Sequence, residues 1–235
     1  MKKNIDIIYG VNPIMEALKK EQVEELYSDL KYDHPLVLLA QSYNITIKEL
    51  KEFKTSLEYK TQKVIAIIKP YKIFTLDELL IDEPKNILFL DRISDPHNLG
   101  AIIRSAAAFN INHIILPKDH SAKINEIVHK TSVGTTFKVK ISYVTAIQNV
   151  FKKLKSLDFW LYSFDSKGED YNQVLNDDSK RVLIFGSEGK GIRESIINET
   201  DFILSIPINK DVESLNVSVS ASIIMEKIYS KIDVK

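Results

Sequence analysis

In the second half of the chain, apolar runs alternate regularly with amphipathic stretches. Residues 87–90, 113–116, 138–141, 159–164, 182–185 and 202–206 read as buried strands. Between them lie helical patterns. Residues 98–109 carry a small-residue face of Ala101, Ser105, Ala106, Ala107 and Ala108. Residues 121–130 form a second helix, with Ser121 as its cap. Residues 145–157 place Ile147, Val150, Phe151 and Leu154 on one side. A short helix near Arg193 and a closing helix over residues 216–232 complete the series. Continuous apolar strands alternating with helices predict an α/β fold, a mostly parallel sheet covered by helices on both faces.

The first part reads differently. Tyr9-Gly10-Val11-Asn12-Pro13 predicts a turn into a helix, with Asn12 as cap and Pro13 at the first helical position. A strand near residues 25–27, a helix after His34-Pro35, a helix over residues 48–53 and an apolar strand over residues 64–68 follow. This is a small α/β domain over residues 1–70. Residues 71–84 read as a linker with one short helix, 76–81, and a boundary at Asp82-Glu83-Pro84. The larger domain spans residues 85–235.

Composition narrows the class. With 44% hydrophobic and 27% charged residues the chain is of ordinary globular type. No apolar run approaches the roughly 20 residues that span a bilayer, and the first residues lack the apolar core of a secretory signal. The absence of cysteine excludes disulfides and thiolate metal sites and fits a reducing compartment. The five histidines show no metal-ligand spacing. A cytoplasmic protein with no membrane partner and no metal is expected. Basic and acidic residues balance at 32 each, which weighs against a bulk electrostatic grip on nucleic acid and leaves room for a local patch. Only four basic residues are arginines: Arg92, Arg104, Arg181 and Arg193. Where lysine is the default cation, an arginine marks a place that needs the planar fork of donors.

Three stretches carry candidate chemistry. Asp95-Pro96-His97-Asn98-Leu99-Gly100, continuing to Arg104, follows a buried strand and opens a helix, a natural anion site. Arg104 lies less than two helical turns beyond Asn98 and leans back toward the same end of the sheet. Phe185-Gly186-Ser187-Glu188-Gly189-Lys190-Gly191 holds three of the seven glycines and one carboxylate at the end of a strand. Glycines so concentrated indicate φ > 0 or close approach to a ligand, and strand ends are where open α/β sheets bind ligands. Its G-x-x-G-x-G spacing is neither a dinucleotide fingerprint nor a P-loop. Ile206-Pro207-Ile208 and then Ser214-Leu215-Asn216-Val217-Ser218 form the third, with Ser214 or Asn216 capping the last helix.

Together the three stretches resemble, in order, the motifs D-P-x-N-x-G-x-x-x-R, F-G-x-E-G-x-G and I-P-x…S-L-N-V-S of the SpoU (TrmH) family of RNA ribose methyltransferases, within the SPOUT superfamily. The resemblance runs over residues 86–235 and reaches the N-terminus through Tyr9 to Pro13 with Glu16-Ala17-Leu18. Pro117-Lys118-Asp119 and Ser132-Val133-Gly134 are similar to the branch that methylates a guanosine of 23S ribosomal RNA. That branch has glycine where Lys210 stands and His-Gln-Gly where Thr61-Gln62-Lys63 stand.

The resemblance implies a C-terminal trefoil knot, a substrate-binding N-terminal domain and a homodimer packed through the last helix. It implies S-adenosylmethionine as cofactor, bound through Gly186, Ile206 and Leu215. It implies methyl transfer to a ribose 2′-oxygen by Asn98, Arg104, Glu188, Ser214 and Asn216. The expected partner is ribosomal RNA, with transfer RNA as the alternative and no DNA. A non-catalytic RNA-binding ribosome-assembly protein keeping the fold is the alternative of a different class.

Overall fold

The computed structural model describes residues 6–53, 63–174 and 179–232. The strands are β1 (Asp6–Tyr9), β2 (Val23–Ser28), β3 (Thr46–Lys48), β4 (Val64–Ile68), β5 (Asn86–Asp91), β6 (His113–Pro117), β7 (Lys140–Val144), β8 (Phe159–Asp170), β9 (Lys180–Gly186) and β10 (Phe202–Ser205). The helices are α1 (Val11–Lys19), α2 (Pro35–Ser42), α3 (Leu76–Leu80), α4 (Pro96–Ala108), α5 (Glu126–Thr131), α6 (Ile147–Lys155), α7 (Tyr171–Val174), α8 (Glu194–Ile197) and α9 (Val217–Ile232). Two compact units result: Met1–Lys72 with Lys123–Phe137, and Ile73–Ala122 with Lys138–Lys235.

The first unit is built on a four-stranded sheet in the order β1-β4-β2-β3. β4 is antiparallel to both neighbours, and β2 and β3 are parallel. The apolar faces of α1 (Ile14, Ala17, Leu18) and α2 (Leu36, Ala40) close on Ile8, Leu26, Val64, Ala66 and Ile68. Gly10, not Asn12, occupies the cap of α1, at φ 93 and ψ 150, and makes no side-chain capping bond. The chain must reverse sharply out of β1, and only glycine takes that backbone without strain. Asn12 and Pro13 therefore lie inside the first turn. The helix expected over residues 48–53 is only a 3-10 turn, Leu50–Glu52, because Thr46 to Lys48 pair with β2. Tyr59, Thr61 and Gln62 lie outside the described residues.

The later segment Lys123–Phe137 belongs to this unit, and α5 packs on β1. Asn125 caps α5, its Oδ1 accepting from Val128 N at 3.0 Å, so Ser121 does not. Gly134 explains the docking: at φ +83, a Cβ there would lie 2.7 Å from Pro13 Cα. Two short motifs far apart in sequence thus meet at one contact, and Lys130 Nζ sits 4.6 Å from the ring centre of Tyr9.

His129 is buried in the same segment. Its Nδ1 lies 2.6 Å from Thr136 Oγ1 and its ring stacks on Phe137 at 4.9 Å. Burial disfavours the charged ring and lowers its pKa from 6.5 to about 4. The unfolded chain takes up this proton near pH 6.5, while the folded chain resists it until about pH 4. The contribution to stability is therefore complete above the first value, falls as pH drops between them, and falls no further below the second. At about 1.4 kcal/mol per unit the total is about 3 kcal/mol. Urea unfolding of the chain and of His129→Gln across this window is expected to show the gap between them narrowing by about that amount on acidification.

The second unit is built on a six-stranded sheet in the order β10-β8-β9-β5-β6-β7. Every neighbouring pair in it is parallel. β5 is buried along its whole length, and β9 nearly so, which is why their sequences are continuous apolar runs rather than alternating ones. Ile87, Phe89, Val182 and Ile184 face a core with Leu79 of α3, Phe151 and Leu154 of α6 and Ile196 of α8. The alternate residues Leu88, Leu90, Leu183 and Phe185 turn to the other face and are equally buried. There α9 packs on β9, and α4 packs on α9, where Ser222 Oγ donates to Ser105 Oγ at 2.7 Å. The chain lays β5, β6 and β7 outward to one edge, then crosses back to lay β8, β9 and β10 on the other side of β5. Such a reversal opens a crevice at the strand C-termini.

Candidate active site

The glycine turn begins where β9 ends. Gly186 pairs with Asp91, the last residue of β5. The turn curls back so tightly that Ser187 and Gly191 form a bridge, with Gly191 N donating to Ser187 O at 2.9 Å. A Cβ on Gly186 would lie 2.2 Å from Gly191 C and 2.3 Å from Ile192 N. The curl therefore exists only with glycine at this position.

A second wall comes from β8. Its pairing with β10 slips: Ile203 pairs with Ser163, while the next residue, Leu204, pairs with Glu169. Residues 164–168 are thereby thrown out of the ladder. Gly168 makes this possible, since a Cβ there would lie 2.5 Å from Leu204 C. The bulge sets Phe164 flat on Phe185, with ring centres 4.7 Å apart and planes 7° from parallel.

Between these walls is a pocket of about 640 Å³. It is lined by Phe164 to Lys167, Phe185 to Gly191, Ile206, Ile208, Glu213 to Val217, and Ser220. Gly186, Ile206 and Leu215, from three separate segments, all lie on it. Glu188, Ser214 and Asn216 also lie on it.

Asn216 is the hub of a polar group. Its Oδ1 accepts from Ser218 N at 2.8 Å and Ser218 Oγ at 2.6 Å, which caps α9. Its Nδ2 donates to Asn98 Oδ1 at 3.0 Å and to Glu188 Oε1. Asn98 is set by its own helix end, where Asp95 caps α4 by accepting from His97 N at 3.1 Å and Asn98 N at 3.4 Å. One amide thus joins residues of all three sequence stretches.

Arg104 is not on the pocket wall. It projects from α4 into solvent, and among the described residues its guanidinium has no hydrogen-bond or ion-pair partner. The other three arginines fall in different settings. Arg193 closes the glycine turn and Arg92 follows β5, but Arg181 is buried at the opposite end of the sheet, beside the start of β5. The bulge residues 164–167 escaped sequence reasoning. The signal available for them was a glycine, Gly168, placed just after an aromatic strand end.

Comparison with known proteins gives the family and the fold. The SpoU rRNA methylase family model matches residues 85–226. A Staphylococcus aureus chain named for the TrmH family of tRNA/rRNA methyltransferases is 30% identical over 93% of this chain and 87% of its own length. An uncharacterized tRNA/rRNA methyltransferase of Borreliella burgdorferi is 43% identical over 63% of this chain, and the match spans 64% of that relative, under two thirds of its length. The solved structure of the SpoU methyltransferase AviRb from Streptomyces viridochromogenes, in complex with AdoMet, has the same fold, with TM-score 0.79, 21% identity and coverage of 97% of this chain and 91% of that one. The chain belongs to the SpoU (TrmH) family of RNA methyltransferases.

Proposed function

We propose that the chain transfers a methyl group from S-adenosylmethionine to a ribose 2′-oxygen of RNA, at a guanosine of 23S ribosomal RNA. One observation supports this above the others: Gly186, Ile206 and Leu215 line a single pocket, and the Asn98–Asn216–Glu188 group sits at its rim. The pocket fits the cofactor. Its volume is within the range of small-molecule sites. Its glycine turn lets backbone groups approach closely, and Ile206, Leu215 and the stacked Phe164–Phe185 pair offer an apolar wall for adenine.

When bound, S-adenosylmethionine supplies a methyl group already activated on a sulfonium. The protein's task is then largely alignment and finding a destination for the hydroxyl proton. Asn98 and Asn216 orient the polar rim, Glu188 fixes the Asn216 amide, and Ser214 completes the set. Arg104 holds the phosphate beside the target ribose and orients its hydroxyl. A guanidinium stays protonated, with pKa above about 12, so its role is charge and geometry rather than proton abstraction.

The same reading makes the chain a cytoplasmic homodimer packed through α9, with its C-terminal segment drawn through a trefoil knot. Residues 1–70 then form an RNA-binding domain, on which Lys123–Phe137 packs, joined by residues 71–84 to a catalytic domain over residues 85–235. Exposed Tyr32 and Tyr43 and the Lys130–Tyr9 pair are suited to stacking and phosphate contact. Transfer RNA is the second reading, because the curated relatives are named for both RNA classes.

Calorimetry with S-adenosylmethionine, followed by transfer of labelled methyl to ribosomal and transfer RNA, tests the proposal. Cofactor binding with label in ribosomal RNA is expected. Label in transfer RNA alone would favour the second reading, and failure to label either would leave an RNA-binding protein without this activity.

A further inference from the structure

Asp91 closes β5 and its side chain is wholly buried, at 0% exposure. Its backbone pairs with Gly186, where the glycine turn opens. Its carboxylate grips Arg193, where the same turn closes. Oδ2 accepts from Arg193 N at 3.0 Å, and Oδ1 accepts from Nε at 3.0 Å and Nη2 at 2.5 Å. Nε also lies 3.2 Å from Oδ2. Both ends of the turn are thus tied to one residue.

The bonds within the turn set its curl but not its position. Gly191 N donates to Ser187 O and Lys190 N to Glu188 O, each at 2.9 Å, and neither refers the turn to the sheet. The Asp91 carboxylate does. β5 also runs on, through Arg92, into the segment that caps α4 and carries Asn98. Asp91 is therefore the common anchor of the loop bearing Glu188 and of the β5–α4 connection that leads to Asn98.

The chemistry of the grip suits positioning. A fork of guanidinium donors on a carboxylate fixes distance and angle together. Asp91 is buried while Arg193 stays about one third exposed, and withdrawing a charge from water offsets much of what such a pair contributes to stability. Neither residue lines the pocket, so neither touches what the pocket holds.

We propose that Asp91 and Arg193 are positioning residues of the methyl-transfer site. Their clamp sets the glycine turn against the β5–α4 loop, and through it the affinity for S-adenosylmethionine and the alignment of Glu188 with Asn98 and Asn216. This rests on the cofactor reading given above.

The test uses the full chain with Arg193→Lys and Arg193→Ala. Lysine keeps a charge facing Asp91 but not the fork; alanine removes both. S-adenosylmethionine is titrated by calorimetry well below each unfolding midpoint, and KM is measured for cofactor and RNA separately. Arg193→Lys is expected to keep its midpoint within a few degrees while its Kd for S-adenosylmethionine rises at least tenfold. KM for the cofactor rises with it, and KM for RNA stays within twofold. Arg193→Ala weakens cofactor binding at least as much and also unfolds earlier. Either variant, folded and binding S-adenosylmethionine within twofold of the unaltered chain, overturns the inference alone. An unaltered chain that binds no S-adenosylmethionine overturns the proposed function and the inference with it.

Discussion

Arg104→Ala is expected to slow methyl transfer by at least about a hundredfold, the scale associated with a positioned catalytic group, while Kd for S-adenosylmethionine stays within about twofold. The side chain projects from α4 into solvent and has no hydrogen-bond or ion-pair partner among the described residues. Its removal therefore leaves no buried group uncompensated, and surface changes of that kind usually shift stability by under about 0.5 kcal/mol. It is also absent from the pocket wall, so the cofactor loses no contact. What is lost is the fork of donors that the proposed mechanism sets on the phosphate beside the target ribose. Single-turnover transfer on RNA, with calorimetry on the same preparation, reads both quantities. A near-normal rate would remove Arg104 from the mechanism.

Gly186→Ala is expected to abolish cofactor binding and to destabilise the second unit. The new methyl would lie 2.2 Å from Gly191 C, 2.3 Å from Ile192 N and 2.4 Å from Gly191 O. All three are backbone atoms, so no side chain can swing aside and the turn must open. Forced packing of this kind costs about 1–3 kcal/mol or more. An opened turn also moves Glu188 away from Asn216 and widens the pocket. Gly189→Ala is the contrast. Nothing lies within 4 Å of its added methyl, and only its φ of +74 opposes the change. That variant is expected to lose about 1 kcal/mol and to keep the pocket. Thermal unfolding and calorimetry on the pair separate a crowded turn from a strained one. Cofactor binding by Gly186→Ala within tenfold of the unaltered chain would contradict the account.

The pattern of the chain made the central sheet legible because its strands are buried on both faces. β5 and β9 could hardly be read as anything else. The three motif stretches were equally legible, since each is local: a cap, a glycine curl, a helix start. What escaped depends on residues far apart. The slip of β10 against β8, which throws out residues 164–168 and completes the pocket, is a matter of register between strands separated by β9. The return of Lys123–Phe137 to the first unit depends on Gly134 meeting Pro13, a contact that no periodicity announces. The grip of Asp91 on Arg193 joins residues 102 positions apart. Two caps, Asn12 and Ser121, were misplaced for a different reason. Ser121 and Asn125 are both good caps, as are Gly10 and Asn12, and only the surrounding structure chooses between them. Of the scarce arginines, Arg193 sets its fork on Asp91 beside the turn, whereas Arg181 lies at the far end of the sheet.

The atom that receives the methyl group is the most direct test of ribose methylation. RNA labelled from tritiated S-adenosylmethionine can be hydrolysed in alkali, which cleaves next to every free 2′-hydroxyl and spares a linkage whose 2′-oxygen is methylated. The label is predicted to emerge in alkali-resistant dinucleotides. Label in mononucleotides, which would place the methyl on a base, would contradict it.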